Sequence, residues 1–186
     1  MRTVRVSVPG KLILIGEHAV VYGRPALASA IDKRLTVTLV PSGSGGVSLS
    51  LPGLAHVEQT TWIEIGDHAA RAFAAWNRFD AEPTTDFLAV RGTESAHLVK
   101  VALGAALSRA GLSPRELPGA EIDVRSDLPV GSGFGSSAAA AVGVLAAFAA
   151  AFDTLSALPD DREALLAAAL DVERCQHGRQ IGRAHV

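Results

Sequence analysis

An α+β domain, with a mixed sheet and packed helices, is what this chain of 186 residues predicts. Three observations lead there. Several short runs alternate apolar and polar residues, the period of half-buried strands; other runs repeat their apolar residues every three to four positions, as helices do; and Pro-Gly or Gly-rich punctuation bounds many of them. The chain is 48% hydrophobic but only 5% aromatic, so its core is built mainly from Ala, Val, Leu and Ile.

Taken in order, Val4, Val6 and Val8 alternate with Arg5 and Ser7 and stop at Pro9-Gly10, a strand with its terminator. Leu35, Val37 and Leu39 repeat the period, as do Val47, Leu49 and Leu51 after "PSGSGG", and the pair reads as a β-hairpin with a long Gly-rich connection. Residues 58–86 are mixed: "AARAFAAWNRF" is helical in pattern and "AEPTTD" reads as a surface loop. From 95 to 110 the pattern is helical, with Leu98, Val101, Ala102 and Ala105 on one face and Gly111 placed to stop it. "GAEIDVRSD" alternates again and is a strand. A glycine-rich loop follows, then a helix over about 136–152. A last helix opens near Asp160 at "LPDD" and runs through Leu165, Leu166 and Leu170 towards His177.

The formal charge of −2 and the absence of any run of five Lys or Arg argue against a nucleic-acid partner. A single cysteine, Cys175, permits no internal disulfide and suits a reducing compartment. The N-terminus, "MRTVRVSVPGK", has no apolar core of a signal peptide. The uncharged stretch 128–152 is long enough to span a bilayer, but its glycines, proline and small residues read as a loop and a buried helix, so no membrane is expected.

The loop "DLPVGSGFGSSAAAAVG", residues 127–143, carries the chemistry. A strand, a glycine loop and a helix in that order build an anion site: the first N–H groups of a helix have no partner and carry partial positive charge, and glycines let that backbone approach a ligand. Ser136 and Ser137 stand where the helix begins, able to cap it or to contact a phosphate oxygen or a metal ion. The loop is neither a Walker A, having no Lys in the required place, nor a dinucleotide fingerprint, because Gly135 follows Gly131 and Gly133 too early. A plain Gly-Ser connector is the alternative. Near the other end, "VPGKLILIGEHAVVYGRPALASAID" places a single Lys11 in an apolar run: either a surface lysine or a cation awaiting an anion. Glu17 and His18 beside Gly16 fit a site or an ordinary turn equally. On the last helix Leu166, Leu170, Glu173 and His177 share a face, where a carboxylate needs a cation, metal or basic side chain.

"PGKLILIGEHAVVYGRPALA" together with "DLPVGSGFGSSAAAA", about a hundred residues apart, resembles the mevalonate kinases, members of the GHMP class of small-molecule kinases. The resemblance covers residues 4–178. The glycine-serine loop identifies the class; "GEHAVVYG" is the wording of mevalonate kinases. It implies a GHMP-kinase N-terminal domain over 1–180. It further implies that ATP is bound by Pro129, Gly131, Ser132, Gly133, Phe134, Gly135, Ser136, Ser137 and Ala138. Mg²⁺ would be held by Ser137 and Glu173, Lys11 would stand at the transferred phosphoryl, and mevalonate would meet Glu17 and His18. The activity implied is transfer of the γ-phosphoryl of ATP to the 5-hydroxyl of mevalonate, in the cytoplasm, by an enzyme for which dimers would be unsurprising. Related readings are a phosphomevalonate kinase-like member of the class and a nucleotide-binding pseudokinase.

The pattern E-x-x-x-H-G-x-P-S-G-x-D of mevalonate kinases is followed from Glu173 through His177-Gly178 and then breaks: Gln180 replaces Pro, Ile181 replaces Ser, and Ala184 stands where the catalytic Asp is expected. "IGRAHV" is also the translation of a common sequencing-adapter string, so residues 181–186 are expected to be a non-native tail. The chain is expected to be a fragment without the C-terminal GHMP domain, and inactive alone.

Overall fold

The computed structural model describes residues 2–20, 22–43, 45–82, 87–129, 131–153 and 162–178. These form one five-stranded sheet and six α-helices. The strands are β1 (Val4–Ile15), β2 (Leu27–Ser42), β3 (Val47–Leu51), β4 (His56–Thr60) and β5 (Gly119–Ser126). The helices are α1 (Glu17–Val20), α2 (Trp62–Ala81), α3 (Leu88–Arg91), α4 (His97–Ala110), α5 (Ser136–Ala151) and α6 (Arg162–His177). The sheet is mixed, in the order β1-β2-β5-β3-β4, with β3 and β5 parallel and the other pairs antiparallel.

Two expectations are corrected here. The strand beginning at Val4 does not end at Pro9-Gly10 but continues to Ile15. Its register against β2 shifts between Pro9 and Gly10, where Pro9 pairs with Arg34 and Gly10 with Ile31. β1 is an edge strand, where a residue lacking an N–H is tolerated, so Pro-Gly marks an irregularity and not a stop. The predicted β2–β3 hairpin does not form either. β5 inserts between the two, pairing Val37 with Val124 on one side and Leu49 with Ile122 on the other. Alternation shows that a segment is a strand but does not choose its neighbour, and β5 offers β2 and β3 one apolar row that both can share.

The helices cover one face of the sheet. Leu35, Val37, Leu39, Leu49 and Ile122 point into the core, and α5 lies across β1 and β2. Gly143 permits that approach: a Cβ there would sit 2.9 Å from Cγ2 of Val37. Phe148 of α5 meets Trp62 of α2 edge-on, ring centroids 5.7 Å apart, and the Trp62 indole N–H donates to the Pro118 carbonyl at 2.7 Å. The mixed stretch after 58 resolves into β4 and then α2, started by a capping box between Thr61 and Glu64. Gly111 ends α4 in the left-handed conformation, as expected. The loop "AEPTTD" lies partly, and the "LPDD" opening of α6 wholly, outside the described residues.

The buried stripe of α6 is also different from the one anticipated. Ala168, Ala169, Val172, Glu173 and Cys175 are buried, whereas Leu166 is 43% exposed and His177 is exposed. The helix is rotated so that its smallest apolar residues face α4 and α5, which lets three helices approach closely. Glu173 is therefore buried at the edge of this stripe.

Candidate functional site

The glycine loop begins where β5 ends. Leu128 N–H donates to the Ser126 hydroxyl at 3.0 Å, and the Ser132 hydroxyl donates to the Pro129 carbonyl at 2.7 Å. Gly131, Gly133 and Gly135 have φ of 76°, 78° and 75°, a conformation that side chains disfavour; this alternation turns the loop into the start of α5. Gly135 is the N-cap, and no side chain caps the helix. Ser136 and Ser137 are thus the first helical residues rather than capping ones. The first i→i−4 bond runs from Ala139 N–H to the Gly135 carbonyl at 2.9 Å. The N–H groups of Ser136, Ser137 and Ala138 precede it and are free, within the helix, to meet an anion.

Lys11 is brought to this point by the irregularity in β1. Its N–H donates to the Phe134 carbonyl at 3.0 Å, so past Pro9 the outer edge of β1 holds the glycine loop. Gly10 is closely packed there: a Cβ would collide with Leu128 and stand 3.0 Å from the Phe134 carbonyl oxygen. The aliphatic stem of Lys11 lies over Gly135, whose missing Cβ would be 2.9 Å from Lys11 Cγ. An exposed ammonium on a stem fixed against the loop suits a site for phosphate.

Glu173 reaches the same place from α6. It is 8% exposed, and its Oε1 is buried with no hydrogen-bond partner. Burial pushes its carboxyl above the ordinary range; the Ser137 hydroxyl and the charges of His177 and Lys11 pull it the other way. The Ser137 hydroxyl oxygen is also 2.9 Å from Nε2 of His177. A hydroxyl has one proton, so as Ser137 donates to Glu173 it accepts from His177 Nε2–H, and one lone pair is left over. A buried carboxylate oxygen without a partner beside a hydroxyl with a spare lone pair fits Mg²⁺, which takes few protein oxygens and completes its shell with phosphates and water. Among the described residues no group of three His, Cys, Asp or Glu forms a closed metal cage.

A cleft of about 570 Å³ opens beside this corner, bordered by Ser136 and Ser137 at one end and by Leu54, Leu88 and Leu98 further out. Leu54 and Leu88, from the turn after β3 and from α3, had no signal in the sequence, and Leu98 of α4 was legible only as a helix-face residue. His177 did have one: it stands four residues after Glu173, one helical turn along the same face.

Glu17 and His18 are not gathered in. They are exposed on α1, beyond Ile15, about 13 Å of extended strand past Lys11 at roughly 3.3 Å per residue. Among the described residues neither is joined by a hydrogen bond or ion pair to the glycine loop, Lys11 or Glu173. Ala184 and the segment 179–186 fall outside the described residues.

Residues 97–185 match the family described as GHMP kinases N terminal domain. The chain carries a GHMP kinase N-terminal domain. The match takes in α4, β5, the glycine loop, α5 and α6, and so includes Ser136, Ser137, Glu173 and His177 but not Gly10 or Lys11. Mevalonate kinase of Archaeoglobus fulgidus is 35% identical over 176 residues, covering 95% of this chain and 46% of that protein. Mevalonate kinase of Homo sapiens is 38% identical over 154 residues, covering 76% and 38%. The solved mevalonate kinase of Methanococcus jannaschii shares the fold with a TM-score of 0.73 at 23% identity, over 94% of this chain and 47% of that one. Lactococcus lactis galactokinase shares it with 0.66 at 21%, over 95% and 38%. This GHMP kinase domain thus spans less than half the length of the relatives it matches.

Proposed function

We propose that this domain binds MgATP and belongs to an enzyme that moves the γ-phosphoryl of ATP to the 5-hydroxyl of mevalonate in the cytoplasm. The observation that carries the nucleotide half is the convergence of Lys11, Ser137 and Glu173 on the open N-terminus of α5. The mevalonate half rests on the relatives named above, together with the resemblance of the "GEHAVVYG" segment, which holds Glu17 and His18, to the mevalonate kinases.

Phosphoryl transfer asks a protein chiefly for positioning and charge neutralisation. The N–H groups of Ser136, Ser137 and Ala138 would receive the phosphate oxygens, with the glycine backbone wrapped round them. The Lys11 ammonium would offset the charge that develops on the transferred group. Ser137 and Glu173 would hold Mg²⁺, which when bound neutralises phosphate charge. The apolar cleft beyond Ser137 would take the nucleoside, leaving Glu17 and His18 to meet the alcohol.

Calorimetric titration of the chain with ATP, with and without Mg²⁺, tests the nucleotide half. Binding that tightens with Mg²⁺ is expected; equal affinity in both conditions refutes the metal assignment. Turnover of mevalonate against phosphomevalonate and galactose, by the whole enzyme to which the domain belongs, tests the substrate half.

A further inference from the structure

The sheet edge that carries Lys11 is held by a residue that the nucleotide reading does not use. In the pairing of β1 with β2, Pro9 stands opposite Arg34 and Gly10 opposite Ile31, so Asp32 and Lys33 are two extra residues of β2 with no partner on β1. Extra residues on one strand bend it and re-aim the side chains beyond. On β1 the first side chain beyond this point is Lys11, paired with Ala30. The ladder is also thin here, because Pro9 has no N–H to contribute. Another contact must hold the bend at one angle.

Arg34 supplies it. Its Nε–H donates to the Ser7 hydroxyl at 2.7 Å, and its Nη2 donates to the Ser7 carbonyl at 3.2 Å. Two donors of one planar group on one residue fix an orientation, which a single bond does not. Its Nη1 is also 3.7 Å from the Asp32 carboxylate, but that side chain is 96% exposed, and an ion pair so open to water adds little. The main chain of Arg34 makes a further connection: its carbonyl accepts the Asp127 N–H at 2.9 Å. Asp127 is where the glycine loop opens, and the Phe134 carbonyl near its end accepts the Lys11 N–H at 3.0 Å. Arg34 thus joins β1, the bend in β2 and the start of the loop, and Lys11 closes the circuit at the loop's far end. Slack is small there, since Gly10 packs against Leu128 and the Phe134 carbonyl without room for a Cβ.

We propose that Arg34 is a positioning residue for the phosphate site: by forking onto Ser7 it fixes the bend opposite Pro9-Gly10, and so lays Lys11 against the glycine loop with its stem over Gly135. Arg34 acts through Lys11 and not on the ligand. Its geometry matters more than its charge, because a lysine would keep the charge and lose the fork. The hold itself needs no ligand; its consequence for ATP rests on the nucleotide reading above.

Two measurements on the chain decide it. Residue-resolved amide exchange without nucleotide reads the Lys11 N–H directly. Arg34→Met and Arg34→Lys are each expected to quicken Lys11 about tenfold relative to the interior β2–β5 pairing around Val37 and Val124. Ser7→Val, which suits a strand and removes the hydroxyl, should quicken it in the same sense and by less. An unchanged Lys11, equal quickening throughout the sheet, or Arg34→Lys behaving as the wild type overturns the proposal. The second measurement is calorimetric titration with ATP in a double-mutant cycle. Arg34→Met is expected to weaken binding about tenfold in the wild-type background and to change nothing in Lys11→Met, because the two residues act as one unit. No loss, or losses that add, overturns the proposal. A wild-type chain that binds no ATP would refute the nucleotide reading, while the Lys11 exchange result would still judge the hold.

Discussion

The Ser137 hydroxyl lies 2.9 Å from Nε2 of His177 and hydrogen-bonds the buried Glu173 carboxylate, so one side chain in the first turn of α5 ties down two residues of α6. The two helices pack directly, and this polar contact is at their open, glycine-loop end. A phosphate arriving at the N–H groups of α5 would therefore meet Ser137 with its hydroxyl already oriented. Orientation before binding is what lets a site add affinity without further ordering cost.

Replacing Ser137 by Ala removes that orientation. The Glu173 carboxyl should then rise still further, since the hydroxyl is one of the groups lowering it. Mg²⁺-dependent ATP affinity should fall about 10- to 100-fold, with a smaller change in metal-free affinity. Calorimetry with and without EDTA checks this, and an equal loss in both conditions would show that Ser137 serves only the phosphate.

A comparison of two glycines tests the role of Lys11. Gly131 and Gly135 share the left-handed conformation, and an Ala at either should cost about 1–2 kcal/mol in strain. Nothing lies within 4 Å of a Cβ at Gly131, whereas one at Gly135 meets Lys11 Cγ at 2.9 Å. Gly135→Ala should therefore weaken ATP binding clearly more than Gly131→Ala at similar loss of stability. Equal weakening would show that the position of the Lys11 stem is immaterial.

These residues also show what the sequence made legible. The glycine loop, the helix after it and the acidic Glu173 were all visible, because each depends on local chemistry: φ above zero, unpaired N–H groups, a carboxylate on an otherwise apolar stripe. Lys11 was visible only as an odd charge in an apolar run, since its role depends on a register shift at Pro9 that lets β1 bond Phe134. The insertion of β5 between β2 and β3 was hidden, because strand period carries no information about partners. The pairing of His68 with His97 was hidden as well: the two are 29 residues apart and meet only because α2 crosses α4 where Gly104 leaves no room for a side chain between it and Ala69.

Acidification should destabilise the domain through those two histidines. Burial, the first cause for both, holds His68 and His97 below the ordinary imidazole value of 6.5; Lys100 and, for His68, Arg71 act with it, while Glu94 opposes it. As pH falls through 6.5 the unfolded chain takes up protons that the folded chain does not, so stability drops from there down to the lowered folded values and is level above. Thermal melts from pH 7.5 to 5 should show a falling Tm below about 6.5. His68→Gln should make that fall shallower; a slope equal to the wild type would assign it to other groups.

Glu173→Gln separates the two meanings of a buried carboxylate. If Glu173 served as the structural partner of a cation such as Lys11, removing its charge would leave that cation stranded and destabilise the fold. The geometry indicates the reverse. Its Oε1 has no partner, and its carboxyl is held above the ordinary range, so the ionised form is disfavoured in the folded state. A raised carboxyl contributes stability that is complete below its unfolded value and is lost as pH rises through the folded one. At neutral pH the uncharged amide should thus raise the Tm of the metal-free chain, with the advantage vanishing below about pH 4. The same substitution should abolish the tightening of ATP binding by Mg²⁺. A lower Tm with metal dependence intact would make Glu173 a structural ion-pair residue. A higher Tm with metal dependence lost is what a carboxylate kept unpaired for a cation requires.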